Sequence, residues 1–136
     1  MIVAVCYLEE KKMEKFEVEK VVTEEMLAVN VGSGSLRVLA TPVVAALMEE
    51  ASTCLADTFL ESGMTTVGTM LNINHIAPTP LGATVKAVAT LKSHNARAYE
   101  FEVVAYDNQG EIANGTHSRV AVYSEKFQAK ADSKIG

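Results

Sequence analysis

Clustered positive charge is the first thing this 136-residue sequence lacks. Its twelve Lys and Arg are scattered among seventeen Asp and Glu, and the net charge is −5. The basic patch that a nucleic-acid partner requires is therefore missing. Long apolar runs are missing too. The opening MIVAVCYLEEKKMEK turns charged after eight apolar residues, which is too short for a membrane span, and it has no basic region of the kind that begins a signal peptide. Cysteine is scarce: Cys6 and Cys54 stand far apart with no C-x-x-C spacing, which argues against a zinc site and for reduced thiols. No repeat or low-complexity stretch is present. These absences lead us to expect a cytoplasmic protein with no metal, cofactor, membrane or nucleic-acid partner.

What remains is a chain with 49% hydrophobic and 21% charged residues. A chain of this length buries roughly two-thirds of its unfolded surface, so one domain spanning residues 1–136 is expected. Residues 1–14 and the small, polar end at 131–136 read as loosely ordered segments. KFEVEKVVT (residues 15–23) alternates as a strand does. VGSGS (31–35) has the composition of a linker. Thr41-Pro42 then reads as a helix start, with Thr41 capping and proline at the first helical position. The helix is expected to run to about Leu60 and to stop before Gly63. Val44, Leu47, Met48, Ala51, Leu55 and Phe59 form its buried stripe, and Ala45, Ala46, Glu49, Thr53 and Ala56 form a second face of small residues around one carboxylate. Four strands follow, over residues 65–76, 83–92, 98–106 and 111–123, with turn residues between them. One strand, one long helix and four successive strands give an α+β domain whose antiparallel sheet must cover the helix.

The strand over residues 65–76 runs into NINHIAPTP (residues 72–80), where His75 near the strand end is followed by a Pro-x-Pro pair that cannot continue a ladder. A strand that stops on an imidazole invites a functional reading, since histidine is the usual general base. Taken alone, His75 also fits a hydrogen-bonded structural role, and His117 in GTHSR is the second choice. His94, beside Asn95 in a turn, reads as surface. Thr41, Ala45 and Glu49 recur every four residues and so share one side of the helix. Glu49 among alanines needs a partner if that side is buried, whereas Glu50 reads as a solvated charge. Gly68 interrupts a strand, which marks a bulge or the close approach of another group.

The runs LATPVVAALMEEAS, TVGTMLNINHIAPTPLGATV and GTHSRVAVYSEKFQAK, in that order, resemble the fluoroacetyl-CoA thioesterase-like family of the hot-dog fold superfamily. The likeness spans about residues 36–130. It implies a hot-dog fold, in which a curved antiparallel five-strand sheet wraps a long central helix, and it implies hydrolysis of a short or modified acyl-CoA thioester. Carried over residue by residue, it makes Thr41, Glu49 and His75 the catalytic set. Gly68 then offers its backbone N–H to the thioester, and Arg119 lies near the site. It also implies a homodimer, or a tetramer of such dimers, in which Thr41 and Glu49 of one chain meet His75 of the other. Thr41 would either orient the acyl group or attack it. The family's aromatic lid is absent: VNVGSGSLRVLA offers only Leu36 and Leu39 as bulky residues. Lys126 and Lys130, four apart beyond the last strand, are candidates for the phosphates of coenzyme A. A hot-dog hydratase would be expected to carry an Asp-x-x-x-x-His pairing, which is not found. The competing reading from another class is a non-catalytic acyl-CoA binding or sensing module.

Overall fold

A computed structural model describes residues 14–136. Cys6 and nearly all of the N-terminal segment lie outside the described residues. The order of elements is β1 (Lys15–Val21), a 3-10 turn (Glu24–Met26), α1 (Ala28–Val31), α2 (Thr41–Asp57), β2 (Met64–His75), β3 (Thr84–Asn95), β4 (Ala98–Asp107), β5 (Gly110–Tyr123) and α3 (Ser124–Asp132). The five strands make one antiparallel sheet in the order β1-β3-β4-β5-β2. The expected α+β arrangement, a sheet curved around one long helix, is what the chain forms.

The helix packs through the predicted stripe: Val44, Leu47, Met48, Ala51 and Leu55 are buried, and Phe59 packs against the same core from the turn that follows. The sheet meets it with a floor of small residues, Ala87 and Ala89 on β3, Ala105 on β4, and Ala113 and Ala121 on β5. Small side chains on the concave face let a helix seat closely, and the larger Tyr99 and Phe101 of β4 are buried with them. The outer face is polar instead, with Asn72, Asn74, Asn114, Thr116 and Glu102 adjoining one another, as expected for a sheet solvated on one side.

Three local expectations change. The α2 N-cap is Ala40 and no side chain caps the end; Thr41 lies inside the helix and its hydroxyl is used elsewhere. The VGSGS run is a capped turn and no linker, because Gly32 ends α1 in the left-handed region at φ 89°. Backbone bonds from Ala28 N to Val38 O and from Ala40 N to Met26 O close the segment into a compact loop. The polar C-terminal run forms α3 through Asp132, with no buried residue.

The most consequential irregularity is in β2. Its register against β5 slips between Gly68 (opposite Arg119) and Met70 (opposite Ser118), leaving Thr69 as an extra residue. A single inserted residue shifts the side-chain alternation by one. Thr66 faces inward before the bulge, and Leu71, Ile73 and His75 face inward after it. Gly68 and His75, of opposite parity in the sequence, thus look toward the same helix.

Candidate active site

The start of α2 and the end of β2 meet. Thr41 Oγ1 lies 2.7 Å from His75 Nδ1, within one chain, so this contact needs no second copy. Position 41 is the first helical residue, which leaves the side chain free to point across to the strand. His75 is held by the chain reversal after it. Ile76 N donates to Ile112 O at 2.8 Å, and the Pro-x-Pro run swings across to bridge Val38 through Pro80. The other ring nitrogen, Nε2, is buried and has no hydrogen-bond partner. A cavity of about 290 Å³ opens here, bordered by Ala28, Ser33, Leu39, Thr41, His75 and Pro78 among others. Of the two bulky residues expected before the helix, Leu39 is buried at the rim of this cavity and Leu36 is exposed.

A second cluster lies two turns farther along α2. A Cβ placed on Gly68 would come within 3.2 Å of Glu49 Oε2, 3.1 Å of His117 Cε1 and 3.4 Å of Arg119 Nη1. Both readings of Gly68 therefore hold, the bulge and the close approach. Arg119 is buried and donates from Nε to Thr66 Oγ1 (2.7 Å) and from Nη2 to the Thr66 carbonyl (2.8 Å). Burial lowers the pKa of its guanidinium, and the carboxylates of Glu49 and Asp57, both on α2, oppose that shift. Arginine stays charged under such shifts. Asp57 is in turn pushed up by desolvation and pulled back by Arg119. Glu50, by contrast, points to Lys20 on β1 at 3.9 Å, with both side chains well exposed.

The structure thus groups the predicted residues into two sets, Thr41 with His75, and Glu49 with Gly68 and Arg119. Eight helical residues separate Thr41 from Glu49, about 12 Å, and seven strand residues separate Gly68 from His75, roughly 20 Å. Lys126 is exposed on α3, which follows the Tyr123 end of β5. His75 pairs with Ala113 at the other end, so Lys126 is remote from the His75 of its own chain. Thr66 and Asp57 were not anticipated. Thr66 was detectable in principle, being two residues from Gly68 and hence on the same side of the strand. Among the described residues no group of three or more His, Cys, Asp and Glu is placed to hold a metal ion, and no helix is long and apolar enough to cross a membrane.

A family model described as fluoroacetyl-CoA-specific thioesterase matches residues 22–125. The chain belongs to that family. The fluoroacetyl-CoA thioesterase of Streptantibioticus cattleyicolor is 39% identical over 97 residues, 71% of this chain and 70% of the relative. A solved structure of the fluoroacetyl-CoA thioesterase FlK superposes with a TM-score of 0.84 at 32% identity, covering 93% of this chain and 98% of that one. A hot-dog-like protein from Thermanaerovibrio acidaminovorans, at 20% identity and a TM-score of 0.80 over 96% of both chains, shares the fold. As a member of the family this chain is a hot-dog thioester hydrolase.

Proposed function

We propose that the chain hydrolyses short acyl-CoA thioesters at a site shared by two copies, Thr41 and His75 coming from one and Glu49, Gly68 and Arg119 from the other. The observation that carries this reading is the Thr41–His75 contact of 2.7 Å beside a cavity, with the far ring nitrogen buried and unpartnered. A hydroxyl against an imidazole is the arrangement of a nucleophile and its base. A buried nitrogen left without a partner calls for one from substrate or a second chain.

The chemistry runs as acyl transfer. Thr41 Oγ attacks the thioester carbon as its proton passes to His75. The C–S bond then breaks and the proton leaves with the thiolate of coenzyme A. Water, deprotonated by Glu49, attacks the acyl-threonine ester, and the carboxylic acid departs while Thr41 regains its proton. The Gly68 N–H and the N-terminus of α2 stabilise the oxyanion in both steps.

The second copy is supported by the two sheet edges. β1 carries Lys15, Glu17, Glu19 and Lys20, charges that discourage edge pairing, whereas β2, MTTVGTMLNINH, carries no Asp, Glu, Lys or Arg over 12 residues. Met70 (43% exposed) and Ile76 (59% exposed) lie on or beside that edge. If β2 pairs antiparallel with its own copy about a two-fold axis midway between Gly68 and His75, each Gly68 comes opposite the partner chain's imidazole. The same pairing would carry α3 toward the other chain's cavity, where Lys126 would meet the phosphates of coenzyme A.

Thiol release from a panel of acyl-CoAs tests the reading, together with acid quenching to trap an acyl group on Thr41. Turnover with a trapped ester supports it. Binding without release would favour the sensing module, and turnover with no trapped ester would make Thr41 an orienting group.

A further inference from the structure

Both nitrogens of a second, deeper imidazole are occupied, and each has only one way to be occupied. His117 is 1% exposed. Its Nδ1 lies 2.7 Å from the Met70 carbonyl, which can only accept, so Nδ1 carries the proton. Its Nε2 lies 3.1 Å from Arg119 Nη1, which can only donate, so Nε2 is a bare lone pair. The ring is therefore neutral and fixed in one tautomer. Arg119 faces it from β5, Glu49 from α2 and Glu100 from β4, and the Phe101 ring lies 6.1 Å away between centroids.

The two partners are the two parts of the Gly68 cluster that most need fixing. Met70 is the first residue after the β2 bulge, and the bulge is what turns Gly68 and His75 to one side. Arg119 Nη1 is the guanidinium nitrogen nearest Gly68, and the two nitrogens behind it are already taken by Thr66. One of the two Nη1 hydrogens goes to His117, which leaves the other, in the plane of the group, as the donor that Nη1 has left.

We propose that His117 is a positioning residue, a neutral imidazole that fastens the β2 bulge to the Arg119 guanidinium and so holds the Gly68 N–H and Arg119 in register with Glu49. It touches neither water nor acyl group. This rests on the thioesterase reading above for its kinetic consequence, but not for its contacts.

Two replacements separate the bonds. In His117→Asn the amide nitrogen takes the place of Nδ1 and keeps the bond to Met70, while nothing faces Arg119. In His117→Gln the amide oxygen takes the place of Nε2 and keeps the acceptor for Arg119. Steady-state hydrolysis of acetyl-CoA, with thermal melting of each variant, is expected to show kcat lowered about 10- to 100-fold in both, since each breaks one end of the link, at a KM changed by less than about 3-fold, the scale seen when a supporting contact is lost. A kcat within about 3-fold of native in either variant, or losses that merely follow the folded fraction, would overturn the proposal. Nitrogen-15 NMR of the native protein adds an arm independent of turnover and of variant folding. A protonated Nδ1 and a bare Nε2 at neutral pH are expected, and the opposite tautomer or a cationic ring overturns the proposal. If the native chain releases no thiol, the thioesterase reading fails by itself, and the NMR result still decides the contacts of His117.

Discussion

Glu49 and Glu50 are adjacent in sequence and chemically identical, yet one faces the Gly68 cluster and the other an exposed lysine. Glu49→Gln is expected to lower turnover by about 10² or more with the fold kept, the scale of losing a general base. Glu50→Gln should leave turnover unchanged, since an exposed ion pair is worth little; equal losses in a thiol-release assay would mean that the facing of α2 is wrong. His117 sets a pH dependence of stability. Burial depresses its pKa, Arg119 adds to that, and the bond to Met70 opposes it. A depressed folded value means the stabilisation is whole above the unfolded imidazole value near 6.5 and is lost as pH falls from there through the folded value. Glu24, lowered first by the hydrogen bond from Arg37, acts only in the more acidic carboxylate range. Denaturant titrations from pH 8 to about 5 should thus show stability beginning to fall near pH 6.5, with a slope of about one proton at most. His117→Gln should remove that slope, and an unchanged slope would locate the proton uptake elsewhere.

At the level of elements, pairing and enclosure decide the outcome. β2 and β5 come so close at Gly115 that an added Cβ would sit 2.0 Å from the Asn72 carbonyl oxygen and 2.9 Å from Ile73 Cα, both backbone atoms. Gly115→Ala therefore requires one strand to move, and a loss of about 3 kcal/mol or more is expected in urea unfolding. A loss below about 1 kcal/mol would mean that the strands separate easily. The closed loop ahead of α2 governs acyl selection. It presents Ala28, Ser33 and Val38 to the cavity, with no Phe, Tyr or Trp among the lining residues. A simple apolar enclosure discriminates weakly, by roughly 1–3 kcal/mol per methylene. Several short acyl-CoAs should therefore be turned over, with a ratio of specificity constants between fluoroacetyl- and acetyl-CoA below about 10⁴. A larger measured ratio would show selection by some means other than enclosure.

For the whole molecule, the proposed sharing of the site requires a second copy. Light scattering should give twice the 14.6 kDa chain mass or a multiple of that, and a stable, active monomer would rule out the shared site. Mixing Thr41→Ala with Glu49→Gln chains after unfolding and refolding should restore activity. Half the dimers would be mixed and each would hold one intact site, so about a quarter of native activity is expected. No recovery in refolded, dimeric material would mean that each site is built within one chain.

The sequence by itself determined the order of the five strands and α2, the buried stripe of α2 and the family. These rest on local periodicity, on turn chemistry and on motifs contiguous in the chain. Thr41, Glu49, Gly68 and His75 were readable as residues of interest, and Arg119 only through the family resemblance. What they touch was not. The bulge at Thr69 reverses the inward side of β2, so counting by twos from Gly68 puts His75 on the wrong face, and only the register against β5 corrects it. Thr41 looked like a cap because its residue type suits one, but helical geometry frees its hydroxyl for His75. Asp57 and Thr66 carry no motif. Their role comes from lying beside a buried guanidinium, and that charge must be compensated by whatever groups the fold brings near it.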